Sequence, residues 1–103
     1  MNEPSYEVVW PQSPRGVQRR RTAPRIAELS TATIGFLWDN LFRGDELFPL
    51  LQTELGKRHP GVTIIGFEEF GNTHGVDELE MVSALPESLR TRGVDAVVSG
   101  MGC

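Results

Sequence analysis

The chain has 103 residues, of which 39% are hydrophobic and 23% charged, with 11 Gly and 7 Pro. That is one short domain; the composition excludes collagen, coiled coil and wholesale disorder, and so small a chain buries less than about 70% of the surface its unfolded form exposes. The net charge of −4 is unevenly spread, with five arginines against three glutamates in residues 1–30 and five bases against eleven acids in residues 31–103.

Residues 1–30 contain Pro4, Pro11, Pro14 and Pro24 and show no sustained period, which predicts an extended N-terminal arm. Tyr6, Val8, Val9 and Trp10 form an apolar segment before Pro11. A free tail rarely carries such a run, so it is expected to dock against the sheet or a neighbouring subunit. Gln18-Arg19-Arg20-Arg21 follows, readable as a nucleic-acid arm or as an irregular arm paired with an acidic surface. No aromatic residue interleaves with these arginines, and an acidic body repels phosphates, so nucleic acid is not the expected partner.

From residue 31 the pattern changes. Thr33 to Trp38 is a short apolar run that stops at Asp39-Asn40, as a buried strand would. Glu46 to Lys57 sets Leu47, Phe48, Leu50, Leu51 and Leu55 along one helical face, with Gly44 or Asp45 as N-cap and Pro49 near the first turn. A second strand spans Val62 to Phe67 and runs into the polar loop Glu68 to Gly75. A second helix is predicted over Val76 to Arg92, bent or divided at Pro86 and closed by Gly93 as the C′ residue. A third buried strand, Val94 to Ser99, precedes Gly100-Met101-Gly102-Cys103.

The fold class is therefore α/β: a three-stranded parallel, Rossmann-like β-α-β-α-β half-domain over residues 31–103, behind an extended arm over residues 1–30. Two helices are scant cover for such a sheet. A second polypeptide or a missing C-terminal half is expected to complete it.

No apolar run approaches the ~20 residues that cross a bilayer, and the N-terminus has neither basic nor apolar signal regions, so a soluble, cytoplasmic protein is expected. One cysteine excludes an intramolecular disulfide framework and an all-cysteine zinc site, and no metal site or cofactor is identified. Open parallel sheets bind ligands outside the carboxyl ends of their strands. Three segments converge on that rim: Trp38 to Gly44, Phe70 to Gly75, and Gly100 to Cys103.

Each candidate on the rim has two readings. Cys103 is a nucleophile or redox thiol, with Gly100 and Gly102 allowing a tight turn, or a terminal cysteine without a role. His74 is an acid–base group or a solvated loop histidine. Asp39 orients a cationic ligand or a histidine, or caps the turn that follows it. Arg43 holds a carboxylate or phosphate, or pairs with Asp45 or Glu46. Asn40, Asn72 and Thr73 complete the polar lining for a small-molecule substrate. No GxGxxG or Walker A pattern follows the first strand.

The ending Gly93-Val94-Asp95-Ala96-Val97-Val98-Ser99-Gly100-Met101-Gly102-Cys103 resembles the approach to the signature of the UGSC-like family, a Cys-or-selenocysteine, Gly, Ser, Cys run after such a strand. Ile34 to Asn40 is similar to that family's first strand and Asp-Asn turn, and Val9-Trp10-Pro11 to the extended segment before it. The resemblance implies a relation to the selenoprotein B components of glycine, sarcosine and betaine reductases. It makes Cys103 the first signature residue or the residue before it. It also implies that a selenocysteine is encoded next and its UGA codon read as stop, or that the protein is split into two subunits or processed at this point.

The function expected from these readings is the N-terminal half, or a subunit, of a thiol- or selenol-dependent enzyme acting on a small polar substrate by reductive or nucleophilic chemistry. Two alternatives stay open: a non-catalytic partner subunit of a heteromeric complex, and half of a racemase-like enzyme using cysteine as an acid–base group.

Overall fold

The structure is a computed structural model that describes residues 3–11 and 16–102; Cys103, with Pro14 and Arg15 of the arm, lies outside the described residues. The elements run β1 (Thr33–Trp38), α1 (Gly44–Arg58), β2 (Thr63–Ile65), α2 (Glu78–Thr91) and β3 (Ala96–Gly100), with 3-10 turns at Leu29–Thr31 and Phe67–Glu69. The three strands form one parallel sheet in the order β2-β1-β3. The most continuously apolar strand is the one that needs cover on both faces, and it takes the centre. Ile34 pairs with Ile64 and Ala96, and Trp38 reaches Gly100.

Alternation along β1 sends Ile34 and Phe36 to one face of the sheet and Gly35 and Leu37 to the other. On the first face, Ala32, Ile34, Phe36 and Phe48 form the buried core, with Ile26, Leu29, Phe42 and Leu55 packed around it. Phe36 and Phe48 meet edge to face, with ring centroids 5.4 Å apart. On the second face, Gly35 lies beneath Phe70, whose ring stands 3.2 Å from where a Cβ would be.

α1 begins two residues before its predicted start, with Arg43 in the N-cap position and Gly44 already helical. The Trp38 indole explains the glycine: a Cβ on Gly44 would fall 2.5 Å from Nε1. Asp45 and Glu46 in the first turn, and Lys57 and Arg58 in the last, suit the helix dipole. α2 runs unbroken through Pro86, so the expected division does not occur. It ends as predicted, with Gly93 at φ +64°.

Two expectations about cover need correction. β3 is not a buried strand: Val97 and Val98 are 38% and 36% exposed. The strand order puts β3 at an edge, and α2 buries no residue anywhere along its length. Nor does the apolar arm segment dock on its own sheet, since Tyr6, Val8, Val9 and Trp10 are 82, 88, 91 and 78% exposed. α1 and the residues just before β1 already cover one face of the sheet.

Gly100 supplies a direct test of this packing. A Cβ there would lie 2.5 Å from the Phe48 ring and 2.6 Å from the Phe42 ring. Gly100→Ala should therefore destabilise the fold by about 1–3 kcal/mol through overpacking, read as a lower urea midpoint at unchanged slope. An unchanged midpoint would mean that the two rings do not close over this strand end.

Candidate functional site

Two aspartates clamp β1 to β3, one at each end. At the entrance, the Thr33 N–H donates to Asp95 Oδ2 at 2.8 Å, and the Asp95 N–H donates to the Thr33 carbonyl at 2.8 Å. At the exit, the Asp39 N–H donates to the Gly100 carbonyl at 3.3 Å, and the Asp39 carboxylate gathers the turn and the end of β3. Its Oδ1 accepts the Leu41 N–H at 3.1 Å and its Oδ2 the Gly102 N–H at 2.7 Å. Asp39 is only 4% exposed, so these bonds form out of water, where a buried carboxylate requires such partners. Asn40 then reverses the chain at φ 62°, a left-handed conformation that asparagine tolerates better than most residues.

The loop after β2 is stitched to the same point. The Thr73 N–H donates to the Trp38 carbonyl at 3.2 Å, and Asn72 forms an isolated parallel bridge with Trp38. Asn72 Oδ1 accepts the His74 N–H at 2.9 Å, an Asx turn that fixes the approach to α2. Over the described residues, to Gly102, the three segments expected at the strand ends converge there.

Between them lies a cavity of about 300 Å³. Asp39, Thr73, His74, Glu78 and Ser99 line it with polar groups, and Leu37, Val82, Leu85 and Met101 with apolar ones. That size is at the lower end of the range for ligand pockets. The two bonds to Asp39 use only part of the carboxylate's acceptor capacity.

Of the residues singled out from sequence, Asp39, Thr73 and His74 come together around this cavity. Gly102 contributes through its N–H to Asp39, while Gly100 sits beneath Phe42 and Phe48 as a packing residue. Asn40 is exposed at the turn, and the Asn72 side chain lies along a separate groove on the other flank of α2. Arg43 stands apart as well: its guanidinium is 84% exposed and pairs with Glu46 at 3.0 Å. It borders a shallow hollow with Phe42, Leu47 and Leu50.

Glu78 and Ser99 were not singled out from sequence. Glu78 follows His74 by four residues and opens α2, so a helix launched from the rim loop carries it back to the rim. Ser99 pairs with Leu37 in the sheet register and so shares its face. Among the described residues, no three His, Cys, Asp or Glu side chains form a group that could hold a metal ion, and no helix is long and apolar enough to cross a membrane.

These features define a parallel α/β half-domain with a small polar cavity at the carboxyl ends of its strands. The chain belongs to the UGSC family, whose model matches residues 7–103, from within the apolar arm segment to the cysteine. No curated protein and no solved structure matches it.

Proposed function

We propose that the chain is the N-terminal half, or a subunit, of a thiol- or selenol-dependent enzyme that acts on a small polar substrate by nucleophilic or reductive chemistry. The observation that carries this reading is the 2.7 Å bond from the Gly102 N–H to buried Asp39. It fixes the backbone beside the cavity one peptide bond before Cys103. In the nucleophilic form, a thiolate at Cys103 gives its electron pair to an electrophilic centre of the substrate, and His74 takes up the thiol proton and returns it to the leaving group. The hydroxyls of Thr73 and Ser99 orient polar groups of the substrate. A cytoplasmic, oxidoreductase role and a relation to the selenoprotein B components of reductases belong to the same proposal. So does a second polypeptide or C-terminal half, which would continue the sheet from the open edge of β3.

A partner subunit without chemistry of its own is the second reading. It is favoured by the exposure of Val97 and Val98 on β3, of Val76 just before α2 and of Leu79 on it.

The rate of Cys103 alkylation against pH separates the two. His74 and the N-terminus of α2 share the rim, and both favour a thiolate. The reactive-thiol reading expects a midpoint below the free-cysteine value of about 8.5, raised towards it by His74→Gln. A midpoint at that value, indifferent to His74→Gln, leaves the partner-subunit reading in place. Arg43 plays no part in this expectation, because it is paired with Glu46 on the flank of α1.

A further inference from the structure

On the flank of α2 away from the cavity runs an open groove of about 570 Å³. Phe70, Val76, Met81 and Ala84 give it an apolar floor, and Asp77 and Glu80 an acidic rim. We propose that this groove receives the N-terminal arm of a second copy of the chain, with Tyr6, Val8 and Val9 on the apolar floor and Arg19, Arg20 and Arg21 facing the acidic rim, the two copies exchanging arms.

Charge separates the arm from other occupants. Four of the five basic side chains beyond residue 30 are already engaged, in the pairs Arg43–Glu46, Lys57–Glu54, Arg90–Glu87 and Arg92–Glu69. Among the described residues, Asp77 and Glu80 take part in none of these ion pairs, and neither do Arg19, Arg20, Arg21 and Arg25. Among the described residues, the cations outside these pairs lie on the arm apart from Arg58, and Asp77 and Glu80 on the groove are among the acids outside them. Two acidic bodies repel each other face to face, whereas arm-to-body contacts attract, so charge selects the arm-mediated arrangement.

Shape separates a second copy from the chain's own groove. The molecule measures 78 × 32 × 26 Å, with a radius of gyration of 20.6 Å. A compact chain of about 100 residues has a radius of gyration near 13 Å. The start of the arm therefore reaches out from its own body, with Tyr6, Val8 and Val9 exposed. Reciprocal exchange covers both arms and both grooves and closes as a two-fold dimer, the commonest symmetric assembly.

Sedimentation velocity of the full chain, up to about 100 µM to include micromolar dissociation constants, tests this together with amide exchange over residues 6–9. A dimer is expected, with those amides protected and an affinity that falls with added salt. Val9→Asp, the triple reversal Arg19→Glu, Arg20→Glu, Arg21→Glu, and the double reversal Asp77→Arg, Glu80→Arg should each weaken it at least about tenfold. All these positions are exposed, so folding should survive, as circular dichroism will show. Mixing the arm-reversed and groove-reversed chains should restore association, since every arm then meets a groove of opposite charge. A monomer throughout overturns the proposal, as does a dimer indifferent to all three variants. A monomer with protected arm amides overturns it too, in favour of docking on the chain's own groove.

Discussion

Phe48→Ala is expected to remove about 3–5 kcal/mol of stability, the range for deleting a buried aromatic ring. Phe48 is the α1 side chain that reaches the centre of the core, at 2% exposed. Its ring lies 5.4 to 6.4 Å from those of Phe36, Trp38, Phe42 and Phe67, most of them met edge-on. Small domains have only about 5–15 kcal/mol in total, so the variant should be substantially unfolded in mild urea. Leu50→Ala, on the same helix but 65% exposed, should cost no more than about 0.5 kcal/mol. Equal midpoints for the two variants would mean that α1 does not pack through Phe48.

The second large effect is expected at Asp39. Alanine there strips the acceptor from the Leu41 and Gly102 amides, each bonded to a carboxylate oxygen. Hydrogen bonds to charged groups contribute about 1.5–3 kcal/mol each, so Asp39→Ala should cost about 3 kcal/mol. Asp39→Asn keeps one acceptor oxygen and should fall between wild type and alanine. Asp95→Ala is the matched control, because Asp95 clamps the same two strands at their other end but is exposed. It should cost about 1 kcal/mol and leave Cys103 alkylation unchanged, whereas the Asp39 variants should alter it. If Asp95→Ala proved the more damaging, the exit clamp would not be the organising bond of the rim.

The strand at the centre of the sheet was legible because its signal is local: Thr33 to Trp38 is apolar throughout and ends at a turn-forming Asp-Asn pair. The helix ends were less so. Whether α1 starts at Gly44 or Glu46 depends on an indole that arrives from β1, and no periodicity carries that information. Burial was the least legible. Val97 and Val98 read as core by composition, but which strand becomes an edge depends on the order of the sheet. The same holds for Tyr6 to Trp10, whose apolar character says that the segment should be covered without saying by what. For the site, topology was enough to expect Asp39, Thr73 and His74 at one rim, where they line one cavity. It could not tell Arg43, whose side chain turns back to Glu46, from residues that face the cavity. Nor could it show that Gly100 and Gly102 serve packing and backbone bonding.

The claim on which the functional reading stands is that buried Asp39 holds the chain ahead of Cys103 at the strand-end cavity. Hydrogen exchange at the Gly102 amide measures that bond directly, because its N–H donates to Asp39 Oδ2. Exchange well slower than that of a free glycine amide is expected in the wild-type chain, with acceleration in Asp39→Ala under conditions where the β1 amides stay protected. Free-chain exchange at Gly102 in the wild type, with β1 protected, would contradict it.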